Sequence, residues 1–150
     1  MLKTKKLGDI SKIARGGSPR PIKNYYTDAQ DGINWIKIGD ASKTTKYIYD
    51  TNQKIIPEGM TKSRFVKEGD FLLTNSMSFG RPYILKTEGC IHDGWLVISD
   101  YEKELDIDFF YHFLSSRDVQ LQCKELALGA VVKNLNIDLA SRIVITYPED

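Results

Sequence analysis

Apolar residues in this chain gather into short dense runs, and the spacing within the runs changes about two-thirds of the way along. Phe71-Leu72-Leu73-Thr74, Tyr83-Ile84-Leu85-Lys86 and Trp95-Leu96-Val97-Ile98 are short, rich in aromatic and aliphatic residues and bounded by turn signals, which predicts strands. The last of these is apolar throughout, as expected of a strand buried on both faces. Ile33-Asn34-Trp35-Ile36-Lys37-Ile38 predicts a strand closed by Gly39-Asp40, Tyr47-Ile48-Tyr49 a weaker one, and Ile143-Val144-Ile145-Thr146 the last. Leu7-Gly8-Asp9-Ile10 reads as a tight turn before an extended piece from Ser11 to Arg15. Gly16-Gly17-Ser18-Pro19-Arg20-Pro21 is a loop, because paired Gly and spaced Pro break helix and strand alike. Lys67-Glu68-Gly69-Asp70 and Thr87-Glu88-Gly89 are turn signals. Pro57 to Arg64 reads as a short helix with Pro57 in its first turn.

Beyond residue 105 the period lengthens. Phe109, Phe110, Phe113 and Leu114 share one helical face, with Asp106 or Asp108 available as a cap. Val119, Cys123 and Leu126 recur at helical spacing after Ser115 and Ser116, and Gly129 is placed to end that helix. Asn134 or Asn136 can cap one more short helix. Strands come first and helices late, without βαβ alternation. The fold class is therefore α+β, with a mixed, twisted β-sheet core and short helices mostly in the C-terminal third. No repeat, low-complexity segment or linker divides the 150 residues, so one domain is expected.

Composition changes this picture little; charge changes it more. Hydrophobic residues make up 41% and charged residues 27%, which is ordinary for a soluble globular protein. The net charge of +1 hides a gradient. Residues 1–26 carry Lys3, Lys5, Lys6, Lys12, Arg15, Arg20 and Lys23 against Asp9 alone, whereas residues 99–118 carry six acids against Lys103 and Arg117. A basic end suits a polyanion, though such charges also simply solvate a surface. The N-terminus lacks the apolar stretch of a secretory signal and no run approaches a membrane span, so a cytoplasmic location is expected. Cys90 and Cys123 form no metal-ligand pattern.

Catalytic motifs are missing. There is no phosphate-binding P-loop, no dinucleotide-binding glycine fingerprint and no nucleophile elbow, and no cofactor is implied. His92 lies beside Asp93 and close to Cys90. A metal site there needs further ligands, and a His-Asp-Gly turn into the Trp95 strand is the simpler reading.

The candidate chemistry is that of binding. Thr74-Asn75-Ser76-Met77-Ser78-Phe79-Gly80-Arg81-Pro82 joins two strands and carries an amide, hydroxyls and a guanidinium. Arg matches both phosphate oxygens and the guanine edge, so Asn75, Ser76, Ser78 and Arg81 are candidate base-reading residues, with Phe79 as a contact and Met77 as packing. Gly16, Gly17 and Ser18 could let backbone approach a phosphate, with Arg20 and Lys23 supplying charge. Lys43 to Lys46, and Lys62 with Arg64, have the same chemistry. Tyr25, Tyr26 and Trp95 are read as core.

These pieces together resemble one target recognition domain of the DNA specificity subunit of type I restriction-modification systems. The resemblance rests on Leu7-Gly8-Asp9-Ile10 followed by Gly16-Gly17-Ser18-Pro19, on Trp35-Ile36-Lys37-Ile38-Gly39-Asp40, and on Gly69-Asp70-Phe71-Leu72-Leu73-Thr74. It closes with Ala127-Leu128-Gly129-Ala130 and Asn134-Leu135-Asn136-Ile137 before Ile143–Pro148. Ser76 to Trp95 looks like one sequence-reading variant. The resemblance implies a subunit with two recognition domains separated by long helices, each domain reading one half of a split double-stranded DNA site. It implies docking to adenine-methylating modification subunits and, through the complex, to a restriction subunit, with no chemistry of its own.

The family pattern continues into a conserved helix where this sequence stops at Tyr147-Pro148-Glu149-Asp150, and the second domain is absent; a fragment or a reduced single-domain form is expected. Two other classes stay open: a protein-interaction module of the same complex, and a fragment of a DNA methyltransferase or endonuclease.

Overall fold

A computed structural model describes residues 1–41, 46–75 and 79–148. In chain order the elements are β1 (Leu2–Lys6), α1 (Leu7–Ile10), β2 (Lys12–Arg15), β3 (Tyr26–Thr27), β4 (Ile33–Ile36), α2 (Ile38–Ala41), β5 (Tyr47–Ile48), β6 (Gln53–Ile55), β7 (Arg64–Val66), β8 (Phe71–Thr74), β9 (Pro82–Leu85), β10 (Gly89–Ile91), β11 (Trp95–Ser99), α3 (Ile107–Leu114), α4 (Arg117–Leu128), α5 (Ile137–Ser141) and β12 (Val144–Pro148). Short 3-10 turns occupy Ile22–Asn24 and Pro57–Lys62.

The strands form a central sheet in the order β2-β11-β8-β9-β5, a second sheet in the order β3-β6-β4-β10-β7, and a ribbon of β1 with β12. Pairing is antiparallel except β5 with β9 and β4 with β10. The architecture is α+β with mixed sheets. The strands of the central sheet face two different cores, which is why their sequences are apolar without alternation. Phe71, Leu73, Ile84, Leu96 and Ile98 point to the helices, where they meet Phe110, Leu114, Val119 and Cys123. Leu72, Tyr83, Leu85, Trp95 and Val97, the intervening positions, meet Ile36, Val66 and Ile91 of the second sheet. A smaller cluster of Trp35, Ile55 and Cys90 lies on the outer side of that sheet, covered by Ile22, Tyr25, Tyr26 and Met60.

Several elements differ from expectation. Leu7–Ile10 is one helical turn rather than a bare turn, burying Leu7 and Ile10. The Ile33 strand ends at Ile36, and Ile38–Ala41 coils into another single turn. Asp40 drives this: one carboxylate oxygen accepts the Lys37 N–H at 2.9 Å and the other the Asn52 N–H at 3.0 Å. On α3 the buried face is Phe110 and Leu114, while Phe109 is exposed. The caps of the late helices are Asp106, Ser116 and Asn136.

Candidate nucleic-acid interface

Strand direction decides which loops meet. β2, β11, β8 and β9 alternate in direction, so the end of β2, the start of β11, the end of β8 and the start of β9 lie together. The connections at that end are Gly16–Pro21, His92–Gly94 and Asn75–Arg81. β7 begins there too, with Arg64 paired to Ile91, and β5 runs parallel to β9, which places Lys46 alongside. Lys12 pairs with Ser99 at the opposite end of the sheet, so it does not join this surface.

Asp93 organises the loop end. Its carbonyl accepts the Asn75 amide at 2.8 Å and Arg15 Nε at 3.1 Å. Its carboxylate accepts Arg20 Nη2 at 2.9 Å and the Ser18 hydroxyl at 3.2 Å. Arg64 Nε donates to the Arg15 carbonyl at 2.7 Å. Lys62 Nζ reaches the Tyr25 hydroxyl at 2.8 Å, next to the turn that carries exposed Lys23. Arg15, Arg20, Lys23, Lys62 and Arg64 thus share one end of the molecule with Arg81, whose guanidinium lies 5.4 Å from the Tyr83 ring centroid. Arg and Lys gathered at convergent loop ends can bind phosphate and read base edges.

His92 does not behave as a metal ligand. Its Nδ1 accepts the Gly94 N–H at 2.7 Å and its Nε2 faces the Ile38 N–H at 3.3 Å, so both ring nitrogens are taken up by backbone groups. Burial between Trp35 and Trp95 pushes its pKa below the ordinary value, with the Asp93 carboxylate pulling the other way. Among the described residues no cluster of His, Cys, Asp or Glu could hold a metal ion.

Four candidate residues turn inward. Asn75 is only 2% exposed; its side-chain amide donates to the Asp93 carbonyl and its backbone carbonyl accepts the Leu135 N–H at 2.7 Å, so it anchors the loop. Phe79 is half-buried against the helical core. The Gly16 and Gly17 amides donate to the Trp95 and Ile91 carbonyls, each at 3.0 Å, and are not available to a phosphate. A Cβ on Gly16 would lie 2.0 Å from the His92 carbonyl oxygen, so this glycine permits backbone packing. Lys43, Ser76 and Ser78 lie outside the described residues.

Sequence reading missed Asp93 as more than a turn residue, and missed Gln120, whose amide donates to the Gly80 carbonyl at 2.9 Å. With Leu135 on Asn75, this fixes both roots of the Asn75–Arg81 loop to the helical layer. Gly80 has φ +75° and packs on Cys123, whose thiol burial pushes up to about 12. Also missed were Tyr47 and Tyr111, whose ring centroids lie 5.2 and 4.8 Å from Lys46 Nζ.

The profile of the type I restriction modification DNA specificity domain matches residues 2–150. The chain belongs to that family. Two of its signature Gly-Asp pairs hold structure here: Asp40 fixes α2, and Gly69-Asp70 closes a turn through Asp70, which accepts the Lys67 N–H at 2.9 Å.

Solved structures share the specificity-domain fold. A chain from a structure on complex assembly and conformational transition of the type I R-M system superposes with a TM-score of 0.75 at 16% identity, with 99% of this chain and 34% of that one covered. The HsdS subunit from Thermoanaerobacter tengcongensis gives 0.69 at 16% identity over 99% and 33%. The type I restriction-modification system S subunit from M. genitalium gives 0.62 at 15% identity over 99% and 34%. The specificity domain spans about one third of those chains. No helix among its described residues is long and apolar enough to cross a membrane.

Proposed function

We propose that this specificity domain is a single target recognition domain that reads one half of a split double-stranded DNA site. The observation carrying this reading is the convergence of the Gly16–Pro21, Asn75–Arg81 and His92–Gly94 loops, with Arg20, Lys23, Lys62, Arg64 and Arg81, at one end of the central sheet. Arg20, Lys23, Lys62 and Arg64 hold phosphates and set register, and Arg81, Ser76 and Ser78 read base edges. The domain itself is non-catalytic and works in the cytoplasm. It directs adenine methylation by a modification subunit and, through the complex, cleavage by a restriction subunit.

A domain swap tests this. Residues 1–150 replace one recognition domain of an intact type I specificity subunit, and methylated adenines are mapped genome-wide. A motif in which one half changes and the other stays supports sequence reading. An assembled hybrid whose motif gains no new half overturns it in favour of a protein-interaction module.

A further inference from the structure

We propose that Asp93 is a specificity-determining residue of the DNA interface, parking Arg20 and Ser18 in the free protein and penalising DNA that lacks the target bases. The inference rests on the DNA-reading function proposed above.

Two anion-binding groups converge on the Asp93 carboxylate. Arg20 Nη2 meets Oδ2 at 2.9 Å and the Ser18 hydroxyl meets Oδ1 at 3.2 Å. A charge-assisted contact with a hydroxyl beside it is also how a phosphate oxygen is held, so the carboxylate stands where a phosphate would. The two partners are not equally free to move. The Asp93 backbone is gripped from three sides: its carbonyl by Asn75 and Arg15, and its N–H by the Ser18 hydroxyl at 3.4 Å. The Arg20 side chain is 76% exposed and can swing away. The neighbouring Arg15 guanidinium is held on the Asp93 carbonyl at 3.1 Å, and not on the carboxylate that Arg20 leaves. His92 Nδ1 lies 3.9 Å from Oδ1, but it accepts the Gly94 N–H at 2.7 Å.

An arriving phosphate must therefore take Arg20 from Asp93 and then tolerate a fixed negative charge beside it. That cost falls on every sequence alike and weakens the sequence-independent attraction. It is relieved where a base offers an amino group, cytosine N4 or adenine N6, to the freed carboxylate. Discrimination then comes from a repulsive element as well as from attraction.

The test uses the full chain as wild type, Asp93→Asn, Arg20→Ala and the double variant, titrated against a mixed-sequence duplex by fluorescence anisotropy over a series of NaCl concentrations. Asn keeps the backbone contacts and the side-chain shape. Asp93→Asn is expected to tighten binding several-fold and to steepen the log–log salt dependence toward one additional phosphate contact, about 0.9 in slope. In the Arg20→Ala background most of both effects should vanish. Selection from a randomised duplex library should return flatter base preferences for Asp93→Asn than for wild type. Unchanged affinity, or tightening of the same size without Arg20, overturns the role of Asp93 while leaving DNA binding intact. Failure of wild type and all variants to bind any duplex removes the DNA-reading function itself.

Discussion

At the scale of single residues, the loop end separates side chains that face outward from those that hold the loops. Arg81 is the exposed guanidinium at the root of the Asn75–Arg81 loop, its own N–H fixed to the Thr74 hydroxyl at 3.0 Å. Arg81→Ala is expected to lose discrimination at one base pair, about 1–3 kcal/mol, leaving other positions unchanged in a library selection. Equal weakening on all sequences would assign Arg81 to phosphate instead. His92 makes a second prediction. Burial holds its folded pKa below the ordinary value of about 6.5. Below that pH the unfolded chain binds the proton that the folded chain refuses, so stability falls as pH drops from about 7 toward 5. Denaturant midpoints across that window should show the fall, and His92→Gln should flatten it. A slope that His92→Gln leaves unchanged would place the titration elsewhere. Arg20, Lys62 and Arg64 were legible in the sequence as cations within turn-rich segments, and the structure brings them to one end. Asn75, Phe79 and Gly17 were not legible as scaffold. Polarity marks an Asn as able to hydrogen-bond but not whether its partner is a neighbouring loop or an outside ligand, and only the return of His92–Gly94 beside β8 settles which.

Among elements, the central strands were readable because they meet apolar partners on both faces, leaving dense apolar runs at Phe71–Leu73 and Trp95–Ile98. β1 was not, since Leu-Lys-Thr-Lys-Lys has no apolar face and is extended only through pairing with β12. β10 was hidden behind its own turn signal: Gly89-Cys90-Ile91 is too short to show a period, yet it is fully buried between β4 and β7. The helical layer was legible from its spacing and caps, but its service to the loop end was not. Gln120 of α4 donates to the Gly80 and Leu114 carbonyls, at 2.9 and 2.8 Å, and so joins the helices to the root of the Asn75–Arg81 loop. Gln120→Leu keeps the volume and removes both bonds. It should cost about 1–3 kcal/mol in denaturant unfolding, because two carbonyls lose their partner. If α4 positions the loop, library selection should also return a less sharply defined half-site. Loss of stability with an unchanged motif would make Gln120 structural alone.

For the whole molecule, a net charge of +1 predicts almost no attraction to DNA, and the strand directions predict a strong local one. The topology sorts cations between two ends of the central sheet. Arg15, Arg20, Lys23, Lys62, Arg64 and Arg81 gather at the loop end, while Lys12 lies across from Ser99 at the other, and Lys3 faces Glu104 at 3.8 Å near the chain termini. Counterion release depends on charges that meet phosphates, not on the total. Lys23→Ala, Lys62→Ala and Arg64→Ala should therefore each flatten the salt slope by about 0.9, whereas Lys12→Ala should leave it unchanged despite removing the same charge. Anisotropy titrations of these four variants against one mixed-sequence duplex decide it. Equal flattening by Lys12→Ala would mean that the protein meets DNA through its overall field. A flat response from the three loop-end variants would move the interface off the sheet end altogether. The contrast is sharp because the compared side chains differ in position alone, and position here follows from the alternating directions of β2, β11, β8 and β9.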